Sequence, residues 1–256
     1  MARPGVRGLI LPAALTLAAL LVLVSLGNWQ VHRLAWKEDL IARTIARPKS
    51  EPLDFRQTGF SAMGDVTAFL DANDYRRVRL AGEYQPAGEV RVFTSLQEPK
   101  NGPFSGPGFW IMTPFATRPS KAAIYINRGF VPQDKADAYD PPPTGEVEIE
   151  GLMRAPERGS YFTPDPDLQK RIFYARDPLR MAEGTGLAGG TLALYVDLAA
   201  SETPPSGLPQ AGETMVTFTN NHLQYAVTWY GLAAALLAVF AAFAAGRLRK
   251  RNNKPA

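Results

Sequence analysis

The sequence predicts a membrane protein in which two transmembrane helices flank a mainly antiparallel-β (α+β) extracytoplasmic domain. Three observations carry that class: two long uncharged apolar runs near the ends, a lopsided distribution of charge, and period-two alternation between Pro- and Gly-rich turns. The 256 residues are 46% hydrophobic with a formal net charge of +4, which as a bulk figure suggests a basic soluble protein. The positions of the charges remove that reading. No acid precedes Glu38 or follows Glu213, so all 24 acids lie in the middle, whereas the tails hold Arg3, Arg7, Arg247, Arg249, Lys250, Arg251 and Lys254. The middle carries a small negative balance, and nucleic acid is not an expected partner.

Residues 1–7 form a short basic tail. Residues 8–29, from Gly8 to Trp29, contain no charge and are long enough to cross ~30 Å of hydrocarbon as a helix. A cleaved signal peptide is the rival reading, since Ser25 and Gly27 have cleavage-site spacing; the run exceeds the ~7–15 apolar residues usual there. Residues 30–48 read as an amphipathic extension of the same helix, with Trp29, Arg33, Trp36 and Leu40 on one stripe and Pro48 and Pro52 ending it.

Residues 49–201 read as the β-rich domain. Arg77–Leu80, Val90–Phe93, Ala123–Asn127 and Glu146–Glu150 alternate, and Phe109–Phe115, Ile172–Ala175 and Leu192–Leu198 are further strands, together favouring an antiparallel sheet or small barrel. One helix is expected over Asp177–Glu183, capped by Asp177 with Pro178 at its first position. Residues 202–221 read as a linker to the membrane, 222–245 as the second span and 246–256 as a basic tail. Basic flanks stay inside and a long loop translocates. Both termini are therefore expected in the cytoplasm, with the domain periplasmic and the protein in the inner membrane. Trp29, Trp36, Tyr225, Trp229 and Tyr230 would mark the outer interface among membrane lipid.

The absence of cysteine excludes disulfides, thiol-based copper delivery and covalent haem attachment through C-x-x-C-H. Phosphate-loop, zinc-protease and nucleophile-elbow motifs are missing from the sequence, so no catalytic residue is expected. Glu146, Glu148 and Glu150, like Arg76, Arg77 and Arg79, read as solvated strand surface.

His222 is the informative residue. It opens the second span, where Asn220 or Asn221 would cap the helix and where His222, Tyr225 or Ala226, Trp229 and Ala233 share a face. A neutral imidazole there, walled by aromatic rings, could ligate the iron of a flat macrocycle. The competing reading is an interfacial histidine bonded to headgroups or to its own helix. His32, beside Arg33, reads as a solvated helix face.

The stretch Leu26–Lys37, LGNWQVHRLAWK, resembles the opening signature of the Surfeit locus family of cytochrome c oxidase assembly factors. Asn221–Leu232, NHLQYAVTWYGL, resembles its closing signature. Tyr75–Tyr84, Gly108–Trp110 and Ile126–Pro132 recur between them in family order. The resemblance implies a non-catalytic factor assisting delivery of haem a to oxidase subunit I, with His222 as candidate axial ligand and haem a bound transiently. Trp229, Tyr230 and Tyr225 would line the pocket, Arg33 and Lys37 would meet the propionates, and haem a synthase is a further expected partner. Trp29, Gln30, Arg33, Trp36, Asn127, Arg128 and Gly129 belong to the resembling signatures. The alternative is a scaffold that binds no haem and packs Gly231, Ala234, Ala235 and Ala238 against subunit I.

Overall fold

A computed structural model describes residues 4–62, 64–187, 189–214 and 220–252. Arg3 and Lys254 of the basic tails, and residues 215–219 of the expected linker, lie outside them. The chain divides into a helical unit, residues 1–43 with 217–256, and a sheet unit, residues 44–216.

The helical unit holds most of α1 (Pro4–Ala46) and all of α4 (His222–Asn252). The expected span and amphipathic extension form one uninterrupted helix of 43 residues that carries Pro12 within it. A 3₁₀ turn at Arg47–Lys49, with Pro48 in its first turn, ends it. Both helices are long and apolar enough to cross a membrane. They run antiparallel. Gln30 meets His222, Asn28 meets Tyr230, and a Cβ on Gly8 would lie 3.4 Å from the Arg247 guanidinium. Close approach depends on Gly27, where a Cβ would sit 2.7 Å from the Tyr230 ring. The covered face of α1 carries Gly27 and Gln30, so the expected stripe of Trp29, Arg33 and Trp36 is rotated away and exposed.

In the sheet unit, β2 (Arg77–Tyr84), β6 (Glu146–Arg154), β8 (Thr191–Leu198), β5 (Ala123–Pro132) and β4 (Gly106–Thr117) pair in that order, and β4 pairs back onto β2. The five strands therefore form a closed ring. β3 (Val90–Leu96) makes a hairpin with β4, β7 (Ile172–Phe173) lies beyond β3, and β1 (Leu53–Asp54) lies beside β2. Val78, Leu80, Phe115, Ile124, Met153 and Val196 belong to one core cluster. A second core, including Trp110, Tyr125, Phe130 and Tyr195, is covered by α3 (Pro178–Thr185).

The structure amends four expectations. The sheet is mixed: β1–β2, β3–β7 and β5–β8 are parallel. A helix not expected from the sequence, α2 (Val66–Asn73), buries Leu70, and its cap Asp65 accepts from the N–H groups of Thr67 and Ala68. The strand at Ile172 keeps only two residues. The expected linker is built into the domain up to Thr214, because Gln210 pairs its backbone with Phe130 through two 2.8 Å bonds and the Glu213 carboxylate accepts from the N–H groups of Lys100 and Asn101.

Candidate functional site

The site is built where α4 begins. Asn220 Oδ1 accepts the His222 backbone N–H at 3.4 Å, occupying one of the donors a helix leaves open at its start. His222 is half-buried, on the same face as Ala226, Trp229 and Ala233, which are half-buried or buried. Its Nδ1 lies 2.7 Å from Gln30 Oε1 on α1. An amide oxygen only accepts, so with Gln30 Oε1 facing the ring Nδ1 is the donor of this bond and Nε2 is turned away from it. The Trp29 ring stands edge-on to the imidazole, with centroids 6.4 Å apart and planes at 88°. Two turns further along α4, the Tyr230 hydroxyl donates to Asn28 Oδ1 at 2.6 Å.

The candidate residues therefore separate. His222, Gln30 and Trp29 come together, Trp229 lies two turns along the same face, and Tyr230 locks the helix pair beside them. Tyr225 is 54% exposed and turned off that face. The Arg33 guanidinium lies over the Trp36 ring, 3.9 Å from its centroid. Lys37 is half-buried and, seven residues on from Gln30, shares its face of α1. His32 bonds through Nδ1 to the Asn28 carbonyl of its own helix at 2.8 Å, the behaviour of a surface helix residue.

Among the described residues no three His, Cys, Asp or Glu side chains converge to hold a bare metal ion. A single imidazole can only complete the coordination of a metal already held by another ligand. The donor set, one histidine beside the Trp29 ring with Arg33 and Lys37 one and two turns along α1 from Gln30, fits an iron macrocycle with acidic substituents.

Asn127, Arg128 and Gly129 belong to the sheet unit and hold its interior. Asn127 Nδ2 donates to Asp197 Oδ1 at 2.7 Å, while its Oδ1 accepts the Gly129 N–H. Gly129 has a φ of +135°, and a Cβ there would come 2.4 Å from the Gln210 backbone. Arg128, 5% exposed, donates to Glu89 and to the Asp140 carbonyl, and Glu89 also accepts from Thr113 and Tyr139. Asp197 binds Arg154 at 3.0 Å and accepts the Thr214 hydroxyl at 2.9 Å, with Arg176 at 3.5 Å. Burial alone would lower the pKa of Arg176, but Asp197, Tyr195 and Glu157 beside it raise it, and burial pushes the Tyr195 phenol well up. Sequence reasoning missed this cluster. Its only signal is charge inside apolar strands, in Tyr195-Val196-Asp197-Leu198 and Leu152-Met153-Arg154.

The sequence profile described as the SURF1 family matches residues 17–234. Surfeit locus protein 1 of Rattus norvegicus is 32% identical over 225 residues, spanning 82% of this chain and 68% of its own length. Surfeit locus protein 1 of Takifugu rubripes is 34% identical over 230 residues, with 82% and 87% covered, and a SURF1-like protein of Monosiga brevicollis is 32% identical, with 86% and 82% covered. The matched span contains Gln30, His222 and the buried Asn127–Gly129 segment alike, and on these grounds the chain belongs to the SURF1 family.

Proposed function

We propose that this protein assists assembly of haem–copper cytochrome c oxidase by holding haem a as a substrate and handing it to subunit I. Involvement in cytochrome c oxidase assembly is a property of the family. The observation that carries the finer reading is the half-buried His222 imidazole, whose Nδ1 is occupied by Gln30 and whose Nε2 is left as the donor. Nε2 supplies the axial nitrogen, Trp29 and Trp229 give the ring apolar contact, and Arg33 and Lys37 neutralise the propionates. One protein ligand suits a carrier that must release its cargo.

Both helices carry large apolar side chains outward, among them Leu11 at 68% and Val239 at 67% exposed. Such a surface is costly in water and suits lipid. The basic tails favour cytoplasmic termini, which puts residues 44–216 on the periplasmic side of the inner membrane.

The test is the visible spectrum of the detergent-purified full chain after exposure to haem a. The wild type should retain haem, and His222→Ala should lose several-fold in occupancy while staying in the membrane at normal abundance. Full occupancy with an unshifted spectrum in His222→Ala would exclude the ligand role. A second reading, a scaffold without haem, draws on the outward face of α4. Gly231, Ala234, Ala235 and Ala238 are exposed, and a Cβ on Gly231 would meet open space, so a partner helix could approach closely.

A further inference from the structure

We infer that Gln30 is a positioning residue that holds His222 in one tautomer, so that the first helix presets the ligand carried by the second. The inference rests on the reading of His222 as a haem ligand and extends it to the residue that makes the nitrogen available. Imidazole in water favours the proton on Nε2, which would block the atom required for ligation. At 2.7 Å the Gln30 amide oxygen reverses that preference, because it can bond Nδ1 only when Nδ1 carries the hydrogen. Gln30 is itself only 9% exposed, so water competes poorly for its oxygen.

Three further contacts restrict the same ring or the helices that carry it. Asn220 caps the His222 N–H, the Trp29 edge meets the imidazole, and the Tyr230–Asn28 bond fixes the helix register two turns along α4. An imidazole oriented before ligation loses less entropy on binding, and a hydrogen-bonded Nδ1–H makes Nε2 a stronger donor. The consequence is specific to the pair. Separating the helices would release the tautomer while leaving His222 in place on α4.

The chain has only two histidines, so ¹⁵N-histidine spectra of the haem-free full chain in detergent are simple to assign with a His32→Ala variant. In the wild type at pH 8 His222 should show a protonated Nδ1 and a bare Nε2. Gln30→Leu should move the signals toward the aqueous pattern, whereas Gln30→Glu, which keeps an acceptor at that place, should not. On titration with haem a, Gln30→Leu should bind about tenfold more weakly or worse. Gln30→Glu should bind near wild-type affinity with a lower iron midpoint potential, because a carboxylate acceptor gives the imidazole more anionic character. A wild-type His222 protonated on Nε2, or a Gln30→Leu variant with unchanged tautomer and affinity, overturns the inference. If Gln30 controls the tautomer but His222→Ala still takes up haem fully, the positioning stands and only the ligand reading falls.

Discussion

Asp197 is 3% exposed on β8, yet it carries a carboxylate between the Arg154 and Arg176 guanidiniums and takes further bonds from Asn127 and Thr214. Removing one partner of a buried ion pair strands the other charge, which costs about 3–5 kcal/mol. Asp197→Ala should therefore lower the stability of the full chain by that order, read as a fall in the urea midpoint of tryptophan fluorescence. Glu202 behaves differently. Burial raises its carboxyl above the usual 4.5, so the folded chain holds this proton more tightly than the unfolded chain does. The stabilisation from the protonated form is complete below pH 4.5 and is lost as the pH rises through the folded value. Glu202→Gln removes that loss, and its amide oxygen can still accept the Glu150 N–H. The variant should be more stable than wild type at pH 7, by less than about 1 kcal/mol because the group is partly solvated, and equal to it near pH 4. A difference of the same size at both pH values would contradict the assignment.

Helix contact on α1 depends on one missing side chain. Gly27→Leu drives a branched group into the Tyr230 ring, which a Cβ alone would approach to 2.7 Å, so the pair should separate and the His222 ¹⁵N signals should revert to the aqueous pattern. Gly231→Leu, placed in open space on α4, should leave those signals unchanged. Loss of oxidase assembly in Gly231→Leu with normal haem uptake would favour the scaffold reading. These elements differ in how much of them the sequence exposes. α4 is legible as an apolar helix opened by His222, and the face that His222 shares with Ala226, Trp229 and Ala233 is the one that is covered. The strands at Arg77, Val90 and Glu146 are legible because one face is wet and alternation survives. α3 is legible from Asp177-Pro178, and its Asp177 carboxylate accepts from the N–H groups of Leu179 and Arg180. α2 is not: it is eight residues long, starts with Val66 and Thr67, which disfavour helix, and is held by packing of Leu70 and the single cap Asp65. The parallel β5–β8 pair is equally hidden, since both strands are buried on both faces along most of their length and their register is set about 70 residues apart. At the site, His222 is visible from its place in the sequence, but its bond to Gln30 spans 192 residues and follows only from the helix pairing.

Across the whole molecule, charge and apolar character are sorted by position along the chain. Arg7 precedes the first apolar run, and Arg247, Arg249, Lys250 and Arg251 follow the second, while every acid falls between Glu38 and Glu213. Holding the arginine-rich ends on the cytoplasmic side and exporting the long middle segment satisfies the asymmetry of membrane insertion. The sheet unit is compatible with the proposed export: it contains no cysteine, and its closed ring leaves the backbone edges of β2, β4, β5, β6 and β8 paired. Residues 140–145 make a good insertion point, because they lead into β6 through exposed Thr144 and Gly145 without contributing a strand. A reporter that matures only in the periplasm should therefore be active when inserted between Asp140 and Gly145 and inactive when fused after Ala256. An N-terminal tag should remain on the full-length chain, since the apolar run continues without interruption into the helix that carries Gln30. Reporter activity at Ala256 would invert the second helix and overturn the two-span arrangement. Loss of the tag with the internal reporter still active would instead convert α1 into a removed leader, and the Gln30–His222 pair would then survive only if cleavage fell before Gly27.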